Sequence, residues 1–153
     1  MLTPDKIEEL KKPLPVWAVK SHPVKKNLST IHPMAVIDRL NEVFGVGAWQ
    51  FKTTFIDCTK EIQETKNGQR TVYMSSAHAT LIVEAHSIHI EQFGGSTNDD
   101  KGDALKGGAT DALTKIASYL GIGASIYKGQ GNRAPNTEEA PEDVEEDLPS
   151  FSI

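Results

Sequence analysis

The feature that most constrains the fold is a hairpin signal in the middle of the chain. Asn67-Gly68 is a dipeptide typical of a two-residue β-turn, because such turns require positive φ at their central residues. Residues 49–59 and 70–84 on either side of it are rich in aromatic and β-branched residues, which favour strands. Residues 85–87 predict a second turn, and residues 88–93 predict a third strand. The middle of the chain therefore predicts a three-stranded antiparallel sheet.

Helical patterns flank these strands. Residues 3–11 begin with a capping threonine followed by proline, which predicts a short first helix. Residues 33–44 place apolar side chains at helical spacing before a glycine, which predicts a second helix. After a Gly-, Ser- and Asp-rich loop at residues 94–102, residues 103–120 carry one apolar stripe and predict a longer third helix.

The order of elements predicts an α+β fold. We expect the three-stranded sheet to pack on the long helix as a β-β-β-α core, with the shorter helices placed N-terminally. One helix covers only one face of such a sheet, so the other face and the edges need neighbours. We therefore expect self-association, with an oligomeric ring and an open helical assembly as the alternatives. Residues 1–131 are expected to form this domain, and residues 132–153 are expected to form a disordered acidic tail.

Charge is distributed unevenly along the chain. The net charge is −5, but all 16 Lys and Arg lie in residues 1–133 together with 14 of the 21 Asp and Glu. The body therefore carries +2, and the seven acidic residues in 138–147 give the tail −7. A charge of +2 is weak for binding DNA. It becomes a strong field only when many copies align their basic groups along one groove.

The compartment follows from three simple features. A lone Cys58 excludes an internal disulfide and fits a reducing environment. No apolar run approaches the ~20 residues that a membrane span needs. Residues 1–12 are charged and lack the apolar core of a signal peptide. We expect a cytoplasmic protein without a membrane partner.

Two segments resemble a known family. Residues 36–49 read Val-Ile-Asp-Arg-Leu-Asn-Glu-Val-Phe-Gly-Val-Gly-Ala-Trp, and residues 106–115 read Lys-Gly-Gly-Ala-Thr-Asp-Ala-Leu-Thr-Lys before a trailing Leu-Gly-x-Gly. In this order, with the Asn67-Gly68 hairpin between them, they resemble the Rad-fifty-two family of recombination annealing proteins, including its bacteriophage members. The similarity covers roughly residues 30–128.

The resemblance implies both assembly and activity. It implies a ring whose basic groove holds single-stranded DNA with its bases outward, so that complementary strands anneal without ATP, a cofactor or bond cleavage. It implies single-stranded DNA and further copies of the chain as partners, in the host cytoplasm if the protein is phage-encoded. The alternative is a protective single-strand-binding protein, although its usual five-stranded barrel disagrees with this order of elements.

The resemblance also indicates which basic residues contact DNA. Lys115 and Lys106 fall at basic positions of the family's long helix, but nine residues place them about 180° apart, so they face different surroundings. The chain departs from the eukaryotic members at Ala35, Thr114 and Ser118, where those members have basic residues. Other lysines must then supply the positive charge along the DNA groove. The predicted DNA-binding residues are Lys20, Lys25, Lys26, Lys52, Lys60, Lys66, Arg70, Lys106, Lys115 and Lys128.

Several other residues have two interpretations. Gly107 and Gly108 each cost ~1 kcal/mol inside a helix, which suggests close approach of a neighbouring chain or a phosphate, or else a frayed first turn. Thr110 and Asp111 are expected to bond the preceding loop or a neighbouring subunit. Among the aromatic residues, Trp49 and Phe55 have the alternation of core residues, whereas Tyr127 is expected to be exposed and is a candidate for base stacking.

The acidic tail contains a candidate partner-binding segment. Acidic residues followed by Leu-Pro-Ser-Phe resemble the C-terminal tip with which bacterial single-strand-binding proteins dock repair enzymes. A repair or single-strand-binding protein is therefore the candidate partner. A phosphate mimic in the DNA groove and a merely solubilising tail are the alternatives. The predicted partner-binding residues are Asp147, Leu148, Pro149 and Phe151.

Catalytic and metal-binding interpretations are weaker. No Gly-Lys-Ser/Thr phosphate loop is present, and His86-x-x-His89 lacks further ligands at metal-binding spacing. We therefore expect no metal and no enzyme. A metal-dependent nuclease built on Asp99, Asp100 and Asp103 is one competing hypothesis, and a structural oligomer without nucleic acid is another.

Overall fold

The computed structural model describes residues 1–22 and 28–128. The predicted α+β class and the predicted order of elements are confirmed in this part of the chain. Lys25 and Lys26 lie outside the described residues. So do the boundary at residue 131 and the acidic tail with its Asp147, Leu148, Pro149 and Phe151.

Three antiparallel strands form the central sheet. They are β3 (Gln50–Thr65), β4 (Gly68–Val83) and β5 (Ile88–Asn98), in the order β3-β4-β5. The predicted β3–β4 hairpin is confirmed, with Thr65 opposite Gly68 and only two residues between them. Gly68, at φ 114°, opens β4 instead of occupying the turn itself. This backbone conformation favours glycine because a Cβ would be strained there.

β5 is longer than its sequence pattern predicts. The loop prediction for residues 94–102 is wrong in its first half, because the strand runs to Asn98 and residues 94–98 pair with residues 73–77 of β4. Their Gly-, Ser- and Thr-rich composition is typical of loops, but the adjacent strand satisfies their backbone hydrogen bonds. A strand of small residues here leaves room for the helix above it.

The long helix covers the inner face of this sheet. Alternate residues of β4 from Ser75 to Val83 are buried on that face. Helix α3 (Lys101–Tyr119) packs mainly across β4 and β5. Its N-terminus is capped by Asp100, whose side chain accepts a hydrogen bond of 2.9 Å from the Asp103 amide. The helix therefore begins two residues before its predicted start at residue 103.

Three glycines let α3 approach the sheet closely. A Cβ on Gly94 would overlap the backbone of Gly108 and Ala112 in α3, and a Cβ on Gly107 would overlap the Ser96 side chain. Across the same contact, the buried Ser75 hydroxyl donates to the Ala104 carbonyl. The close neighbour of Gly107 and Gly108 is thus the chain's own sheet. Both residues lie inside α3, so the alternative of a frayed first turn is wrong.

The N-terminal elements close the other side of α3. They comprise α1 (Pro4–Lys11), a 3-10 turn (Val16–Ala18), a ribbon of β1 (Val19–Ser21) with β2 (Ser29–Ile31), and α2 (Pro33–Phe44). Both N-terminal helices match their predicted ranges, and Thr3 caps the first as expected. A short α4 (Ala124–Tyr127) follows α3. Aliphatic residues of these elements and of α3 share one core with the inner face of the sheet.

A buried arginine joins two of these helices. The Arg39 side chain on α2 donates to the carbonyls of Glu9, Leu10, Lys12 and Pro13, at 2.8 to 3.3 Å. These carbonyls end α1, so the guanidinium supplies the hydrogen bonds that the helix itself cannot make.

The outer face of the sheet has no cover within the described residues. Directly paired residues share a face, which places His78 of β4 beside Phe93 of β5, with ring centroids 5.1 Å apart. Phe93 is 59% exposed and Met74 38%. The prediction that Phe55 is a core residue is wrong, since β3 extends beyond α3 and leaves Phe55 45% exposed. Trp49 does pack against the core.

Candidate nucleic-acid interface

A cavity of about 490 Å³ opens between the N-terminal ribbon and the polar side of α3. The walls come from β2 with its flanking residues, the start of α2, the C-terminal half of β5, α3 and α4. Polar side chains alternate with apolar ones around it, which is the composition of a site for a partly polar ligand. The lining includes Thr30, Ile31, Pro33, Ser96, Thr110, Asp111, Thr114, Ile126 and Tyr127.

Asp111 connects this cavity to a lysine of α3. Its carboxylate lines the cavity and accepts hydrogen bonds from the Gly95 amide of β5, at 2.9 Å, and from the Lys115 ammonium, at 2.8 Å. The prediction that Asp111 bonds the segment before the helix is confirmed. The Lys115 side chain remains 44% exposed. Because an ammonium has three donors, Lys115 can bind Asp111 and a solvent-side anion together.

Tyr127 forms part of the same wall. The residue is 52% exposed, as predicted, and lies on α4 immediately after the buried Ile126. Partial burial raises the pKa of the Tyr127 phenol above its ordinary value, while a hydrogen bond with Thr114 opposes that shift. The Asp111 carboxylate raises the pKa further. The hydroxyl is therefore protonated at neutral pH and can donate to a ligand.

One further predicted lysine lies near this cavity. Lys20 on β1 is exposed and pairs across the ribbon with Thr30, a lining residue. We call Lys20 and Lys115 the cavity lysines. Lys128 is also exposed and directly follows Tyr127, but it lines a different groove, beside α1. The grouping of Lys20 with Lys115 depends on how the ribbon folds against α3, and no sequence spacing indicates it.

Comparison of the sequence with models of protein families shows to which family this chain is related. The model for the Rad52/22 family double-strand break repair protein matches residues 6–144. The chain belongs to this family. Membership places the protein in double-strand break repair and recombination. No curated protein sequence matches the chain.

The residues that depart from the eukaryotic pattern of the Rad52/22 family have structural roles here. Ala35 is buried in the core, at 3% exposure. The Thr114 hydroxyl is buried and donates to the Asp111 carbonyl, and the Ser118 hydroxyl donates to the Lys115 carbonyl. A basic side chain at Ala35 would bury a charge without a partner. Position 35 is therefore unsuited to a basic side chain in this chain.

Lys106 and Arg70 lie apart from the cavity lysines. Lys106 is highly exposed and lies 3.4 Å from the Asp103 carboxylate, and Arg70 lies 3.8 Å from that of Asp99. Both bases therefore face acidic residues at the start of α3. These acids offset part of the charge of Lys106 and Arg70, as Asp111 at 2.8 Å does for Lys115.

The remaining predicted bases belong to the β3–β4 hairpin. Lys52 and Lys60 lie on β3, and Lys66 lies in the two-residue turn at its end. All three are exposed. The paired ends of β3 and β4 project past the last residue of β5, because the β4–β5 pairing begins only at Tyr73. Lys66 lies at the tip of this hairpin arm and Lys60, opposite Tyr73, lies at its base, whereas Lys52, opposite Thr80, lies in the part of β3 that is level with β5. None of the three lines the cavity beside Lys115.

The histidines form a different cluster from the one that the sequence suggested. Glu91 on the outer sheet face lies 3.0 Å from His89 Nε2 and 3.4 Å from His78 Nε2. The hydrogen bond from His89 lowers the pKa of the exposed Glu91 carboxyl, and the charge of His78 acts in the same direction. Within residues 1–22 and 28–128, no group of three or more His, Cys, Asp or Glu could hold a metal ion.

A helix that spans a membrane must be long and almost entirely apolar. Within the part of the chain that the structure covers, no helix is both long and apolar enough to cross a bilayer.

Proposed function

We propose that this Rad52/22 family member binds single-stranded DNA and anneals complementary strands as a homo-oligomer, without ATP and without cleaving a bond. The single observation that carries the proposal is the placement of Lys115. The resemblance puts a basic residue of the family's long helix at this position. In the structure Lys115 is held by Asp111 beside the cavity and keeps 44% of its side chain exposed. A positioned but accessible ammonium is suited to a phosphate backbone.

Annealing requires that phosphates be held while bases stay available. The cavity lysines provide cations on one side of α3, and aromatic Tyr127 lines the same cavity. Contacts limited to phosphate and sugar carry no sequence information, so any complementary pair of strands can be aligned. No base-specific pocket is needed for this activity, and the bases can pair while the backbone remains bound.

Self-association completes the interface in this proposal. One copy contributes few unpaired cations, because Asp111, Asp103 and Asp99 each lie beside a predicted DNA-binding base. Repetition around an assembly sums these weak fields along a continuous track. The uncovered outer face and the free edges of β3 and β5 offer surfaces on which copies can pack.

The proposal is tested by annealing two labelled complementary oligonucleotides without ATP at 50 and 200 mM salt. The wild-type protein is expected to accelerate annealing, and more strongly at low salt. Lys115→Gln should reduce affinity for single strands and lower the slope of log K against log salt by about 0.7 for each phosphate that the variant no longer neutralises. The readouts are fluorescence energy transfer for annealing and anisotropy for binding.

Lys12→Gln is the matched control. Lys12 is also an exposed lysine in an ion pair, at 2.6 Å from Glu9, but it lies at the end of α1 away from the cavity. The control should anneal like the wild type. Tight binding without acceleration would favour a protective single-strand-binding protein. Equal losses in both variants would contradict the role given to Lys115.

A further inference from the structure

A second groove, distinct from the cavity, lies between α1 and the C-terminal end of α3. It has a volume of about 520 Å³. Leu2, Ile7 and Leu120 supply aliphatic side chains that are only half-buried, and Tyr119 is 67% exposed at its border. We call it the α1–α3 groove. Apolar surface left in contact with water favours a ligand with apolar side chains.

The charged side chains found at the border of the α1–α3 groove in the described part of the chain are all positive. Among the described residues that line it, only Lys11 and Lys128 carry a charge at neutral pH, and both are exposed. The Lys11 ammonium lies 3.9 Å from the Glu8 carboxylate, which is long for an ion pair, so Glu8 offsets its charge only weakly. The groove therefore combines an apolar floor with two cationic groups at its borders. A complementary occupant would present carboxylates next to bulky apolar residues.

The chain itself contains such a sequence. Residues 138–147 hold seven Asp and Glu, and Leu148, Pro149, Phe151 and Ile153 follow directly. We propose that residues 138–153 of this chain dock in its own α1–α3 groove. The apolar residues cover the half-buried floor, and the acidic run lies beside Lys11 and Lys128.

The connection allows this docking. Lys128, the last described residue, itself lines the groove, and 20 positions separate it from Leu148. An extended chain of this length reaches roughly 66 Å, so length does not prevent a return to the groove. Attachment to the same chain raises the effective concentration of the segment to the order of millimolar. A contact that is weak between separate molecules can therefore be substantially occupied.

Docking gives the segment a second role besides partner binding. Leu148 and Phe151 were predicted to bind a repair protein, and the α1–α3 groove would hold the same side chains against their own domain. A partner would then compete with the groove for the segment. This inference does not depend on annealing, because the groove and the cavity are lined by different residues.

Hydrogen exchange of the full chain tests the proposal. The variant carries Leu148→Ser, Phe151→Ser and Ile153→Ser, and the matched control carries Ser150→Ala and Ser152→Ala in the same segment. Amides of residues 2–11 and 118–128 should exchange about two- to tenfold faster in the variant than in the wild type. This is the effect of losing a ligand whose effective concentration is close to, or a few times above, its dissociation constant. The control should exchange like the wild type.

A charge reversal provides a second measurement. Lys128→Glu should raise exchange in residues 2–11 in the same way, and 1 M salt should weaken the wild-type protection. Equal exchange of the groove amides in the wild type and the triple variant would overturn the proposal. So would protection that appears at residues 95–96 and 107–114, since the segment would then occupy the cavity.

Discussion

Arg39 has the most buried charged side chain among the described residues, at 8% exposure. The structure places its guanidinium against four carbonyls at the end of α1. The sequence pattern places Arg39 on a helix, but only the packing of α1 against α2 brings its guanidinium to these carbonyls.

Replacing Arg39 should destabilise the fold strongly. Arg39→Met removes the donors to one buried and three partly buried carbonyls, so the free energy of unfolding should fall by about 2–4 kcal/mol. Urea denaturation followed by circular dichroism measures this change. Asp38→Ala, an exposed substitution on the same helix, should change it by less than about 0.5 kcal/mol. A similar stability of wild type and Arg39→Met would show that these hydrogen bonds contribute little.

At the scale of elements, the contact between β5 and α3 depends on residues without side chains. Gly94 is buried under α3, and the chain offers no space for a Cβ there. The loop-like composition of residues 94–98 led the sequence prediction to end β5 too early. The same small residues are required once α3 lies on β5, because the backbones of the two elements nearly touch at Gly94.

Adding a methyl group at this contact should therefore separate the elements. Gly94→Ala should lower the free energy of unfolding by about 3 kcal/mol or more, since the obstructing atoms are backbone atoms that cannot rotate away. Gly95→Ala is the adjacent control, with its Cβ an acceptable 3.4 Å from the Ser75 carbonyl oxygen. Thermal denaturation of both variants makes the comparison. Equal midpoints would contradict the close contact.

At the scale of the whole molecule, the described residues cover the sheet on one side only. Phe93 and Met74 remain exposed on the outer face, and within the described residues both outer strands have an unpaired edge. An isolated copy would leave apolar surface and backbone donors in water. Association of copies would remove these surfaces from water, and the oligomer stays a prediction for the measurement below.

Sedimentation should detect this association. The wild type is expected to exceed its chain mass of 16.7 kDa several-fold. Phe93→Lys combined with Met74→Lys should shift the mass towards one chain, because like charges would be buried between copies. Val46→Lys, at an exposed loop residue, should leave the assembly intact. A measured wild-type mass of 16.7 kDa would contradict a role for the outer face, and so would a double variant that assembles as fully as the wild type.

The sequence by itself determined the type and order of the elements. Turn chemistry, caps and the period of apolar residues act over a few positions, so the helices at residues 3–11 and 33–44 and the β3–β4 hairpin follow from local patterns. The tertiary structure alone decided the extent of β5, the partners of Arg39 and Asp111, and the separation of the cavity lysines from the hairpin arm. These features join residues far apart in the chain, and such contacts exist only after the ribbon, the sheet and α3 have packed together.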